Sequence, residues 1–316
     1  MGGAGAVILG LLYARHFCYV QGLIGQTVAR NHRPSRIEQL STLWGAPHAA
    51  LQDADGGLVW DRMDATRLLA AHPEAREQFV FTRHGKDDPV IHFGAVVQRS
   101  PLTGRSFYEA LEHERVGHYV VWDEGGHGSS DPVMGRLWAD WNWHRVTHPQ
   151  TFLRRDRPFP AFTRSGGNED PGWGRGNGKV TWDPESGYAA EVSVPGDCGW
   201  AGDPAGALNR FLRWDAVLTF ETEDQLQRPL RIHNGAGISA REPGYPTIGN
   251  RYEGPIPVAV DVTPRRLRRL HLEPGDGVRW SFGTVEGVAT ATWDGTVTIP
   301  ELPLDTSWNT LVVERL

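Results

Sequence analysis

Two short segments carry the residue types best suited to chemistry. In FVFTRHGKDDPVIHF, an apolar stretch from Phe79 to Phe81 runs through His84 and Gly85 into the adjacent carboxylates Asp87 and Asp88, just before Pro89. In HYVVWDEGGHGSSDP, a second apolar stretch ends in a glycine-rich loop that presents His127. Gly125, Gly126 and Gly128 let the backbone turn sharply there and hold the imidazole at a strand end. A carboxylate and an imidazole, each following its own strand, suit acid–base work. The imidazole takes a proton from a nucleophile, and a buried carboxylate fixes its tautomer and stabilises the imidazolium. Open α/β sheets place such groups at the carboxyl ends of their strands. Spacing alone leaves Asp87 and Asp88 both open as the acid.

Other candidates are weaker. His84/Asp88/His92 and His144/His148 have metal-ligand types, but the second pair lacks the Glu of HExxH, so no metal is expected. Ser129 and Ser130 lie beside His127 in the wrong motif for a nucleophile. Asn168-Glu169-Asp170 offers oxygen ligands without EF-hand spacing. Trp138, Trp141 and Trp143 are read as packing at a domain junction rather than as a sugar-stacking platform.

The elements that position these residues fall into three sections. Residues 1–150 alternate short apolar strands (Cys18 to Ile24, Gln78 to Arg83, His118 to Asp123) with helices. The helices are expected at Ser35 to Trp44, at Met63 to Ala71 after Asp61, and at Phe107 to Glu114 after the cap Ser106. That alternation is the pattern of a parallel α/β sheet. Residues 151–206 form a Gly/Pro/Trp-rich connecting segment, with strands at Lys179 to Asp183 and Tyr188 to Val194. Residues 207–316 alternate in period two (RWDAVLTFET, PVAVDVT, GVRWSFG, GVATATW, GTVTIPEL, NTLVVERL), which reads as an antiparallel β-sandwich.

Gly2 to Tyr13 is apolar, with neither the basic n-region nor the cleavage site of a signal peptide. Arg15 and His16 interrupt it well before the roughly 20 apolar residues of a membrane span, so it is read as a buried core helix. The chain has 316 residues, 39% hydrophobic and 22% charged, with 38 Gly, 22 Pro and 13 Trp, which excludes long disorder, collagen and coiled coil. A net charge of −6 argues against a nucleic-acid partner. Cys18 and Cys198 form neither a disulfide framework nor a zinc spacing.

GKDDPV resembles the acid motif of the α/β-hydrolase family, whose chain order is Ser, Asp, His. The family's acid falls three residues after the Gly, which points to Asp88, with Asp87 second. GGHG resembles its histidine motif and points to His127. FYEALEHERVGHYVVW is similar to the family's last helix and last strand. Family members often read Gly-x-Ser-Met-Gly-Gly before a buried apolar helix, and this chain starts Met1-Gly2-Gly3-Ala4-Gly5-Ala6. No GxSxG occurs in it. The resemblance therefore implies a chain truncated just after the nucleophile serine. Gly3 is then the last glycine of the motif, and the Met1 backbone N–H is an oxyanion donor in the intact parent. Arg157 to Phe162, Phe211 to Asp215 and Asp261 to Arg266 are similar to an Ig-like extension of some bacterial α/β-hydrolase or S9-peptidase-like proteins.

The resulting expectation is the C-terminal half of an α/β-hydrolase sheet plus an all-β sandwich. The parent is a serine hydrolase of carboxylic ester or peptide/amide bonds that works through an acyl-enzyme. It needs no cofactor and is exported, while this chain is inactive for want of its nucleophile. The alternative is a non-enzymatic protein whose sandwich binds a polysaccharide or a cell-surface partner.

Overall fold

The computed structural model describes residues 2–23, 25–32, 34–86, 88, 90–91, 93–123, 127, 156–171, 181–183, 188–191, 206–233, 252 and 254–316. The helices are α1 (Gly2–Leu12), α2 (Pro34–Trp44), α3 (Val59–Arg62), α4 (Ala65–Ala71), α5 (Gly94–Val97) and α6 (Phe107–His113). In the first half the strands are β1 (Tyr19–Leu23), β2 (Phe79–Gly85), β3 (Gly117–Asp123), β4 (Phe159–Thr163), β5 (Thr181–Asp183), β6 (Tyr188–Glu191) and β7 (Gly206–Leu208). They continue as β8 (Leu212–Trp214), β9 (Phe220–Glu221), β10 (Gln225–Ile232), β11 (Val258–Arg265), β12 (Gly277–Phe282), β13 (Val285–Thr290), β14 (Ile299–Leu304) and β15 (Asn309–Arg315). The fold is mixed α/β with several sheets. The chain divides into two units: Met1–Glu114, Val120–Met134 and Glu169–Ala207 form the first, and Arg115–Tyr119, Gly135–Asn168 and Leu208–Leu316 the second.

The first unit is organised on a four-stranded sheet ordered β1-β2-β3-β7. β1 and β2 run parallel, with Tyr19 opposite Phe79 and Leu23 opposite Arg83. Every residue of β2 is buried, as an interior strand covered on both faces requires. Helix α1 lies on β1, and the close approach of Gly10 to the Val20 methyls lets the two backbones pack. Its Val7, Ile8 and Leu11 are buried, whereas Leu9 is 54% and Tyr13 55% exposed. The core helix expected from composition therefore has one buried face and one exposed apolar face, and β1, on which it lies, ends the sheet among the described residues.

Local chemistry sets the helix starts. Ser106 Oγ accepts the Glu109 N–H at 3.1 Å, and Glu109 Oε2 accepts the Ser106 N–H at 2.9 Å, a complete capping box on α6. Helix α4 starts later than the expected Met63, because Asp64 and not Asp61 is its cap, accepting from the Thr66 and Arg67 N–H groups. Helix α2 begins at Pro34, one residue before the expected Ser35.

The second unit is built from antiparallel strand pairs. One sheet is ordered β14-β11-β4, and the other β13-β12-β15-β10-β8 with β9 also on β10. Two features differ from the period-two reading. RWDAVLTFET is not one strand: Asp215 Oδ1 accepts the Val217 and Leu218 N–H groups at 2.8 and 2.9 Å, turning the chain between β8 and β9. QLQRPLRI, which is not among the period-two runs, is the interior strand β10, with Pro229 opposite Thr310 of β15. Its inward positions are Leu226, Arg228, Leu230 and Ile232, all buried.

Candidate active site

The loops after β2 and β3 bring Asp88 and His127 together. His127 Nδ1 lies 3.0 Å from Asp88 Oδ2 and 3.2 Å from Oδ1. An ionised carboxylate only accepts, so Nδ1–H is the donor and Nε2 keeps its lone pair. The Asp88 side chain is 1% exposed and that of His127 is 48% exposed. The acid is thus sealed and the base is open, the division of burial that general-base work needs. Asp88 is also held in place. Its Oδ1 accepts the backbone N–H groups of Val90 at 2.7 Å and Ile91 at 2.9 Å. An Asp that closes a turn on its own following N–H groups is ordinary Asp-Pro chemistry, and here the same turn orients the carboxylate.

His84 lies near the end of β2, four residues before Asp88. It is buried, its Nε2 lies 2.7 Å from the Gly25 carbonyl and its Nδ1 lies 2.8 Å from the Tyr108 hydroxyl. The carbonyl can only accept, so Nε2 carries the proton and Nδ1 accepts from Tyr108. Burial lowers the His84 pKa to about 4, against the opposing pull of the Gly25 carbonyl and of Asp88. Burial likewise pushes the Tyr108 phenol up, so this pair stays neutral. Lys86, also buried, has its ammonium 5.7 Å from the Phe93 ring centre and 5.9 Å from that of Trp122.

Gly25, the partner of His84, also packs on helix α1. The Gly3 backbone packs directly on Leu23 and Gly25, so closely that a Cβ on either glycine meets main-chain atoms. The first turn of α1 therefore sits at the carboxyl end of β1. Because β1 and β2 are parallel, that is the end where β2 delivers His84 and Asp88.

Of the sequence-derived candidates, Asp88 and His127 meet. Asp87, His92, Ser129, Ser130 and the Met1 backbone lie outside the described residues, as do His144, His148 and the Trp138 to Trp143 cluster. His84 was considered only as a metal ligand, yet both of its ring nitrogens face protein partners. Its position in an otherwise buried strand was the available signal. Tyr108 carried no separate signal, since a tyrosine on the inner face of an amphipathic helix reads as core. Comparison with known proteins found no matching family model, no matching curated protein and no matching solved structure.

Proposed function

We propose that Asp88 and His127 are the acid and base of a serine-hydrolase-type acyl transfer, and that the first section is the C-terminal half of an α/β-hydrolase sheet. One observation carries the reading: a sealed, backbone-oriented carboxylate holds the Nδ1–H of an open imidazole, each at the end of its own strand. In this role His127 Nε2 removes the proton of a serine hydroxyl as oxygen attacks an ester or amide carbonyl. It then returns that proton to the leaving group, and water repeats the cycle on the acyl-enzyme. Asp88 stabilises the imidazolium formed at each stage and does not itself take the proton.

In the α/β-hydrolase family that this chain resembles, the nucleophile serine stands at the start of the helix that corresponds to α1. The placement of Gly3 against Gly25, whose carbonyl holds His84, supports that position. The uncovered Leu9 and Tyr13, beside the edge strand β1, fit a sheet that continues past β1. Residues 207–316 are, in the same proposal, an Ig-like sandwich appended to the hydrolase.

The test is the reading frame upstream of Met1, which is expected to encode a strand followed by Gly-x-Ser. A chain extended by that segment is expected to react with a fluorophosphonate at the serine and to hydrolyse p-nitrophenyl acetate. Asp88→Asn is then expected to lower kcat about 10⁴-fold through loss of the productive tautomer. An in-frame stop directly upstream overturns the proposal, as does fluorophosphonate-sensitive turnover by the 316-residue chain itself.

A further inference from the structure

The second unit holds an open cleft of about 800 Å³ whose lining includes Arg268, Arg269, His271, Arg315, Glu223 and Asp224. These residues are exposed, and hydrogen bonds fix the backbone that carries them. On one side, Glu221 Oε1 accepts three consecutive backbone N–H groups, from Arg268 at 2.6 Å, Arg269 at 2.8 Å and Leu270 at 3.1 Å. On the other, Thr222 N–H donates to the Gln225 carbonyl at 2.8 Å and Thr222 Oγ1 accepts the Gln225 N–H at 3.0 Å, closing a tight turn. The Asp224 carbonyl accepts the Arg315 N–H at 2.9 Å, tying that turn to the end of β15. The Arg315 guanidinium is 3.8 Å from the Asp276 carboxylate, a loose pair on the surface.

The mix of groups narrows what fits. Among the described residues the lining includes no Leu, Ile, Val, Met, Phe, Tyr or Trp, so an apolar peptide segment has little to pack on. Three arginines favour a carboxylate or another oxyanion, which the guanidinium fork meets with paired bonds. Glu223 and Asp224 stand in the same cleft and oppose a bare or dense polyanion such as nucleic acid, as does the net charge of −6. Carboxylates do, however, accept hydrogen bonds from hydroxyl groups. A ligand that satisfies both halves carries an anionic group and several hydroxyls.

We propose that this cleft binds a carboxylated saccharide, with Arg268, Arg269 and Arg315 on its carboxylate and Glu223 and Asp224 accepting from its hydroxyls. The site is independent of the Asp88–His127 pair. Calorimetric titration of the full chain with a galacturonate trisaccharide, inorganic phosphate and maltotriose tests it. The trisaccharide is expected to bind at least about tenfold more tightly than phosphate, with no heat from maltotriose. Arg268→Gln/Arg269→Gln, on exposed side chains, is expected to weaken the trisaccharide by about tenfold or more. The single Arg269→Gln serves if the urea midpoint of the double variant shifts. Glu223→Gln/Asp224→Asn separates the proposal from plain charge attraction, because it is expected to weaken the trisaccharide while tightening phosphate. Absence of trisaccharide binding, or tightening of both ligands by the acid variants, overturns the proposal.

Discussion

Asp88 in the first unit and Arg228 in the second are buried charges treated in opposite ways. Several charged groups of the first unit withdrawn from water have specific partners, as Asp261 of the second unit has in Arg164. Asp88 has His127 and two backbone N–H groups, Arg76 has Glu114 at 2.8 Å, and Arg30 has Asp61. His84 avoids charge altogether, since burial holds it neutral. The second unit places Arg228 on the inward row of β10 between Leu226 and Leu230, 1% exposed. Neither terminal nitrogen of Arg228 has a hydrogen-bond partner among the described residues, and burial pushes its pKa down to about 9 in spite of Glu221. The contrast separates polar groups that are oriented for chemistry from one that the sheet tolerates at a cost. A buried charge is inexpensive only when geometry supplies its counterpart.

The largest effect that tests this contrast concerns His84. Its folded pKa of about 4 lies below the ordinary 6.5, so between these values the unfolded chain binds a proton that the folded chain does not. Stability from this group is therefore full above pH 6.5 and falls as pH drops toward 4, by up to about 3 kcal/mol. Urea midpoints across that window measure it, and His84→Gln, which can keep an acceptor for Tyr108, is expected to flatten the profile. A profile as steep in the variant as in the parent removes His84 as its cause.

Arg228→Met is the next in size and has the opposite sign. It replaces a desolvated cation with an apolar side chain of similar length, and is expected to stabilise by about 1–3 kcal/mol at neutral pH. The folded pKa is again the lower one, so the penalty of Arg228 is present at neutral pH and is relieved only above about 9. A destabilised Arg228→Met variant at unchanged m breaks the contrast between Asp88 and Arg228. The smallest effect is the control within the first unit. Ser106→Ala removes one side of the α6 capping box and is expected to cost about 1 kcal/mol, read from the shift in urea midpoint.

Much of the first unit was legible because its signals are local. Ser106 with Glu109 three residues on, the buried run from Phe79, and the strand before His127 each carry their structure within a few residues. The second unit was harder where local and tertiary preferences disagree. Gln225 to Ile232 holds a proline and an arginine on what is an interior strand, so neither propensity nor alternation marks it. Asp215 breaks an apparent strand with a side-chain turn that composition does not separate from an exposed strand residue. The cleft escaped notice entirely, since Asp224, Arg269 and Arg315 converge from distant points of the chain.

The sequence by itself determined the presence of an acidic pair and a glycine-framed histidine, each behind its own strand, and the change from helix-strand alternation to period-two strands. Residue type and short-range periodicity suffice for that, because strand pleat and helix turn are local geometries. Only the tertiary structure decided that Asp88 meets His127 at 3.0 Å, that His84 is locked neutral between Gly25 and Tyr108, and that one face of α1 stands uncovered. Those outcomes depend on which strands become neighbours, and on how much water each group loses when they do. Burial and partnership are set by contacts between residues dozens of positions apart, and no window along the chain contains both sides of such a contact.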